Sequence, residues 1–293
     1  MKRILFVGLA LMTISVYAEI IDGIDYRQAR ESDVPAVISV LEEIASIATD
    51  RVLIPPRRCF KQFVEDMIHK KYLFIAVKKV NDKEVVIATK KLFVAEGADK
   101  KDILENLIRA EGPKAKKSSL FRERIKFSPT LDPSGKIKDY SVEKEASSSQ
   151  APEMGVYLYD GFEYTRDDHQ RIGINWHLTQ NAYKTIAPSV NEALQKSPTK
   201  KLTLLYVLAD RNAGVKPDNP TGEEYIIDRT PGIAKTFHTF IKTHIPHQVD
   251  PITLELSRYD SYLRVFNLDS QDCTTPLPDK DHMYGFALTY TLK

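Results

Sequence analysis

The residues with the clearest chemical pattern lie between 155 and 186, where an apolar run is followed by a charged turn and a helix. The run from Val156 to Tyr164 has the aromatic and aliphatic composition of a buried strand. After the turn comes the segment 170–175, QRIGIN, and apolar residues then recur at helical spacing. A strand, a turn and a glycine at a helix start align free backbone N–H groups with the positive end of the helix dipole. The pattern therefore predicts a binding site for an anion such as a phosphate.

The same segment resembles the cofactor loop of the GNAT superfamily, whose members are acyl-CoA-dependent N-acyltransferases. The motif of that family is Gln/Arg-x-x-Gly-x-Gly/Ala at a strand-to-helix junction, where it holds the acyl-CoA pyrophosphate. Gln170 and Gly173 match the motif, and Asn175 stands where Gly or Ala is usual. The resemblance covers roughly residues 24 to 290. It implies acetyl-CoA as co-substrate, with these cofactor-binding residues: Tyr164, Thr165, Arg166, Gln170, Arg171, Ile172, Gly173, Ile174, Asn175 and Asn212.

The reaction that the resemblance implies needs a general base for the amine and donors for the developing oxyanion. Asp160 and Glu163 lie three residues apart on the predicted strand. Strict alternation places them on opposite faces, so only one can face a site, and we take Glu163 as the candidate base. The alternative is that either carboxylate is a structural ion-pair partner.

The resemblance also implies an acid for the thiolate leaving group. In the family a Tyr often fills this role in the pattern Ala-x-x-Leu-Tyr on the last helix. Residues 234–238, AKTFH, have that spacing with His238 in the Tyr position, so His238 is the candidate acid. A histidine can donate a proton at neutral pH. An ordinary surface or core-edge histidine explains the same residue.

The other elements predict an α/β fold, a GNAT-like central mixed sheet with helices on both faces. A strand at 24–30, an amphipathic helix, a second helix at 58–69 and two strands joined by Asn81-Asp82 precede the motif. Leu202 to Ala209 has the continuous apolar character of a central parallel strand, and a helix at 232–244 and a terminal hairpin follow it. We predict one domain over residues 19–293. Its long insertion between the third and fourth strands, residues 95–153, is expected to be partly ordered, with a short helix at 102–110.

Net charge and the spacing of histidines and cysteines limit which ligands and partners the protein is expected to bind. The net charge of +2 predicts no strong affinity for nucleic acid or for a membrane surface. The histidines lack companion ligands at metal spacing, so no metal is expected. Cys59 and Cys273 also fall outside any metal spacing. A disulfide between them is possible, and two unpaired buried thiols are the interpretation that we favour.

The first 18 residues have the pattern of a secretory signal peptide. Two basic residues, Lys2 and Arg3, precede an apolar run, and small residues stand before a cut after Ala18. The run is short for a transmembrane helix, although an uncleaved anchor is the alternative. We therefore expect a secreted or periplasmic protein that is not membrane-bound in its mature form.

The function that follows is transfer of an acyl group, most simply acetyl, from acetyl-CoA to an amine of a protein or small molecule. Acetyl-CoA is a cytoplasmic metabolite, so export implies action inside another cell, with a host protein as one possible substrate. The competing hypothesis is a catalytically inactive binding module that keeps the fold. A transferase that uses another acyl donor, such as an aminoacyl-tRNA, is a third.

Overall fold

The structure is a computed structural model, and it describes residues 19–21, 23–47, 51–52, 54–95, 124–133, 137–145, 155–170, 172–199, 201–209, 233, 236–245, 254–262, 266–273 and 282–291. The described helices are α1 (Val34–Ile47), α2 (Phe60–His69), α3 (Ile174–Lys196) and α4 (residues 236–244). The first strands are β1 (Glu19–Ile21), β2 (Ile24–Gln28), β3 (Arg51–Val52), β4 (Leu73–Val80) and β5 (Lys83–Ala95). The later strands are β6 (Arg124–Leu131), β7 (Ile137–Glu145), β8 (Val156–Thr165), β9 (Lys201–Ala209), β10 (Leu254–Tyr262), β11 (Phe266–Asn267) and β12 (His282–Thr291).

Ten of these strands form one mixed sheet in the order β1-β2-β4-β5-β8-β9-β12-β10-β6-β7. Its neighbours are antiparallel except for β8 and β9, which run parallel at its centre. The predicted α/β architecture, a central mixed sheet with helices on both faces, is therefore confirmed, including Leu202 to Ala209 as a central parallel strand. The insertion supplies the hairpin β6–β7, which pairs with β10 and extends the sheet beyond that strand. The helix predicted at 102–110 lies outside the described residues.

Local sequence signals explain the β4–β5 hairpin and the start of α1. The β4–β5 hairpin turns at Asn81 and Asp82, and both residues take positive φ angles of 50° and 60°. Asparagine and aspartate tolerate this left-handed geometry, which matches the twist of a tight hairpin. The start of α1 is fixed by Asp33, whose carboxylate accepts hydrogen bonds from both terminal nitrogens of Arg27 on β2 at 2.6 and 2.8 Å. This buried pair joins β2 to the start of α1.

Two apolar cores cover the two faces of the sheet. One face packs on α1 and α2 through Val37, Leu41, Phe60 and Val64, together with Ile75 of β4. The other packs on α3 and α4, where the predicted stripe of α3 is buried as expected: Ile174, Leu178, Ala182 and Ile186. Aromatic residues join α4 to α3, since the Tyr183 and Phe240 rings stack with centroids 4.6 Å apart. No helix among the described residues is long and apolar enough to span a bilayer.

A short segment between β10 and β12, residues 266–273, reaches across to the face that carries α1 and α2, and we call it the strap. Its strand β11 pairs with β3, through Phe266 opposite Val52. Leu268 of the strap is buried in the α1–α2 core. Beyond it, Arg57 donates to Asp269 at 2.8 Å and Arg58 to Gln271 at 2.7 Å. The prediction of a simple hairpin therefore missed this excursion between its two strands.

The strap ends in a disulfide. Cys59 at the start of α2 is bonded to Cys273, with Cα atoms 6.0 Å apart. Our preference for unpaired buried thiols was wrong, because the strap brings together two cysteines that lie 214 residues apart in the sequence. Sequence spacing carries no trace of such a long-range approach.

The bond closes most of the chain into a loop, which restricts the unfolded chain. We expect the double variant Cys59→Ser/Cys273→Ser to lose about 2–5 kcal/mol of unfolding free energy, measured by urea denaturation. Dithiothreitol should lower the stability of the wild type to the same level and leave the variant unchanged. Equal stability of wild type and variant under oxidising conditions would contradict the bond.

Candidate functional site

The sheet opens between its two parallel strands. The ladder between β8 and β9 runs from Val156 opposite Leu202 to Asp160 opposite Tyr206. Both strands continue past the last pair, β8 to Thr165 and β9 to Ala209. On its other side β8 remains paired with β5 as far as Thr165. The β9-facing edge of the last residues of β8 thus lines an opening in the sheet, and backbone N–H and C=O groups are the chemistry it offers.

The opening leads to the start of α3. Gly173 precedes the first residue of the helix and takes a φ of 87°, in the left-handed region where a Cβ atom is disfavoured. A Cβ there would meet no atom closer than 3.8 Å, so conformation and not space calls for glycine. Gln170, the other motif residue, folds back onto its own turn and donates to Asp167 Oδ1 at 2.7 Å and to the Thr165 carbonyl at 3.2 Å. The motif therefore shapes the turn that presents the N-terminus of α3.

An irregularity in β8 overturns our assignment of faces. Lys90 of β5 pairs with Glu163, but Leu92 pairs with Asp160, so β8 holds one residue more than β5 over this stretch. A β-bulge of this kind breaks the alternation of side chains. Asp160 and Glu163 consequently point to the same face, and both bind the Lys90 ammonium, at 2.8 and 2.6 Å. The prediction that only one of them could face the site was wrong.

The ion pairs continue into the helix that carries the motif. The second oxygen of Glu163 accepts a hydrogen bond from the Asn175 side-chain amide. The side-chain oxygen Oδ1 of Asn175 accepts in turn from Thr165 Oγ1 at 2.9 Å. Asn175 lies inside α3, where the helix itself does not require a glycine. Its departure from the Gly/Ala pattern is explained instead by its side-chain contacts. Its side chain joins the first turn of α3 to the end of β8.

Two of these charges lie deep in the protein. Lys90 is 1% exposed and Asp160 is 2% exposed, whereas the Glu163 side chain keeps 24% exposure. Burial raises the pKa of Asp160 to about 6; the Lys90 charge opposes this rise and the Glu163 charge adds to it. Lys90 is the residue that sequence analysis missed. Two consecutive lysines, Lys90 and Lys91, within the largely apolar stretch from Val85 to Ala95 were the available signal.

Other predicted site residues face the opposite side of the sheet. The Tyr164 hydroxyl donates to Glu43 of α1 at 2.9 Å. The Arg166 guanidinium pairs with the same carboxylate and donates to the Val86 carbonyl at 2.8 Å. These two side chains therefore anchor α1 to the end of β8. Ile172 and Trp176 are exposed beside the loop, and Ile174 is buried in the core. Arg171 and Asn212 lie outside the described residues.

His238 is not a neighbour of Glu163. It lies in α4, is 4% exposed, and its ring centroid is 6.1 Å from that of Tyr290. Tyr290 pairs with Leu202, which pairs with Val156 at the beginning of β8. Glu163 lies towards the other end of that strand, on the order of 20 Å further along at about 3.3 Å per residue. The structure therefore does not bring the two candidate catalytic residues together, and the role of His238 stays a prediction.

The described residues contain no group of three or more His, Cys, Asp or Glu arranged to hold a metal ion. They offer instead backbone groups at the opening, the N-terminus of α3 and one carboxylate, Glu163, that reaches solvent. This set can hold an extended ligand with an anionic group at one end.

No protein-family model matches the chain, and no curated protein matches it. Solved structures with a similar arrangement include Arabidopsis thaliana NAA60 in complex with a bisubstrate analogue, with 12% identity, 92% of this chain and 97% of that chain covered, and a TM-score of 0.35. The loading GNATL domain of CurA from Lyngbya majuscula has 13% identity, 92% and 97% coverage and a TM-score of 0.39. Drosophila melanogaster polyamine N-acetyltransferase has 10% identity, 92% and 100% coverage and a TM-score of 0.34. With scores this low, the fold rests on the strand order and pairing of this chain itself.

The raised pKa of Asp160 gives a pH dependence with a definite sign. Its ordinary value is 3.8 and its folded value is about 6, so between these values the native state binds more protons than the unfolded state. The contribution of Asp160 to stability therefore falls as pH rises through this window and is constant above it.

An Asp160→Asn variant lacks this titration. We expect the unfolding free energy of the wild type, relative to the variant, to fall as the pH rises from 4 to 7. Urea denaturation of both proteins across this range measures the difference. Parallel pH profiles would show that Asp160 does not titrate in this way.

Proposed function

We propose that this protein is an acyl-CoA-dependent N-acyltransferase that transfers acetyl from acetyl-CoA to an amine. The observation that carries the proposal is the opening between β8 and β9, which begins after Asp160 and Tyr206 and leads to Gly173 at the start of α3. An opened parallel pair next to a helix N-terminus suits a ligand with an amide-bearing arm and a phosphate end. The backbone at the end of β8 would bind the arm, and residues 170–175 the pyrophosphate.

The chemistry is a balanced acyl transfer. The amine nitrogen forms a bond to the thioester carbonyl carbon, the carbon–sulfur bond breaks, and the coenzyme leaves as a thiolate that takes up a proton. The proton lost by the amine passes to a base, for which Glu163 is the candidate within reach of solvent. Its two oxygens already accept from Lys90 and Asn175, so it must share one of them with the incoming amine.

The alternative is a binding module that keeps the fold without catalysis. Two observations favour it: both oxygens of Glu163 are engaged, and His238 lies near the beginning of β8. Under this alternative acetyl-CoA, or another ligand with a phosphate end, binds at the opening but no acyl group is transferred. Release of free thiol in the presence of an amine separates the two functions.

We also propose that the protein is exported and that its disulfide forms outside a reducing cytoplasm. The signal-peptide pattern of residues 1–18 supports export, and the Cys59–Cys273 bond supports an oxidising compartment. Catalysis would then take place where the protein meets acetyl-CoA, for example inside a host cell. An amine-bearing host protein would be one kind of substrate.

Export is tested by expressing the full chain with a C-terminal tag in a bacterial host and sequencing the N-terminus of the product. We expect a periplasmic protein that begins at Glu19 and carries no free thiol. An intact Met1 in the cytoplasmic fraction would contradict this proposal.

The anion site is tested by two substitutions of matched size at Gly173. Asparagine and aspartate both tolerate a left-handed φ, so Gly173→Asn and Gly173→Asp should fold equally well. The carboxylate repels a pyrophosphate, whereas the amide does not. We expect isothermal titration to show acetyl-CoA affinity within about tenfold of wild type for Gly173→Asn. Gly173→Asp should show no measurable binding, and equal affinities of the two variants would remove the loop from the site.

The candidate acid is tested by His238→Phe, which preserves an aromatic ring in the core. Since His238 lies on the order of 20 Å along the sheet from Glu163, we expect turnover and acetyl-CoA affinity close to those of the wild type. A proton donor acts only in the transition state, so a fall in turnover at unchanged affinity would instead make His238 the acid. Thiol release with a panel of polyamines and peptides measures turnover. Unchanged turnover in the folded variant would return His238 to a packing role.

A further inference from the structure

We propose that Lys90 is a positioning residue that fixes the bulge in β8 and, through Glu163 and Asn175, the start of α3. This inference rests on the proposed function, because its purpose is to hold the acyl-CoA site in shape. The motif Gln/Arg-x-x-Gly-x-Gly/Ala does not include a lysine on β5, the strand next to β8.

The three charges lie at the point where β8 departs from β9. Asp160 is the last residue of β8 that pairs with β9, and Glu163 follows the extra residue of the bulge. The Lys90 ammonium binds one carboxylate on each side of that point, at 2.8 and 2.6 Å. It therefore joins the two segments of β8 whose relative position determines how far the strand departs from β9.

Burying the charges of Lys90 and Asp160 costs desolvation free energy. Desolvating a lysine and an aspartate costs several kcal/mol for each ion, and an apolar pair of similar volume would usually be no less stable. Lys90 and Asp160 are both almost fully buried, so their ion pair is weak evidence for a role in stability. A role in fixing one geometry among several explains the charges better.

A chain of side-chain contacts connects Lys90 to the first turn of α3. Glu163 uses one oxygen for Lys90 and the other for the Asn175 amide, and Asn175 accepts from Thr165. The contact with Lys90 joins β8 to β5, and the two contacts of Asn175 join the end of β8 to the first turn of α3. The turn shaped by Gln170 and ending at Gly173 lies between these two anchored segments. A change at Lys90 therefore reaches both the open edge of β8 and the proposed pyrophosphate site.

The bulge also has a packing requirement. A Cβ atom at Gly161, inside the bulge, would lie 2.4 Å from Cε1 of the Tyr159 ring. The ring of Phe93, 5.3 Å away between centroids, packs against Tyr159. The glycine allows the extra residue to fit, and Lys90 holds the strand on either side of it.

The test uses three variants. Lys90→Met removes the charge but leaves Asp160 buried without its cation, which is expected to destabilise the fold. The double variant Lys90→Met/Asp160→Asn removes both buried charges and keeps the contact between Glu163 and Asn175. Lys90→Arg keeps a cation and serves as the conservative rescue. The matched control is Lys79→Met, which removes an exposed lysine from β4.

Two measurements are made on each folded variant: acetyl-CoA affinity by isothermal titration and amide hydrogen exchange without ligand. We expect the double variant to lose at least about tenfold in affinity and to exchange faster at residues 161–175, with α1 and α2 unchanged. Lys90→Arg should recover part of the affinity, and the control should match the wild type. Unchanged affinity and unchanged exchange in the double variant would overturn the positioning role.

The two proposals fail in different ways. If the wild type binds no acetyl-CoA at millimolar concentration, the proposed function fails. The exchange measurement then decides the positioning role alone: faster exchange at 161–175 in the double variant supports it, and unchanged exchange overturns it.

Discussion

A single buried ammonium group holds together the part of the sheet on which the candidate site depends. Lys90 cannot be placed in the interior without anionic partners, and the bulge in β8 supplies two of them on one face. The need to compensate this charge therefore couples the position of β5 to the segment of β8 that departs from β9. The two carboxylates flank the point at which the pairing of β8 with β9 ends.

Different side chains anchor the end of β8 on the two faces of the sheet. Glu163, Thr165 and Asn175 join β8 to α3 on one face. Tyr164 and Arg166, the alternate residues, join the same strand end to Glu43 of α1 on the other. The strap and its disulfide hold the outer side of the α1–α2 layer. The end of β8 is thus anchored from both faces, while its edge towards β9 remains open.

The sequence predicted those features that depend on local periodicity or turn chemistry. The apolar stripe of α3, the Asn81-Asp82 turn and the continuous apolar run of β9 each carry their own signal. The face shared by Asp160 and Glu163 was missed, because alternation assumes a regular strand; Gly161, a glycine within a strand, was the local mark of the bulge. The Cys59–Cys273 bond was considered but not favoured, and the addition of β6–β7 beyond β10 was missed. Both depend on approaches between distant segments, which a single sequence does not encode in its spacing.

The central claim is that acyl-CoA lies in the opening between β8 and β9 with its phosphates at the start of α3. A crystal structure of the protein grown with acetyl-CoA tests it most directly. The account predicts the pyrophosphate within hydrogen-bond distance of backbone N–H groups at residues 172–175, and the pantetheine arm beside β8 beyond Asp160. Coenzyme bound elsewhere on the protein, with the opening filled by side chains, would contradict it.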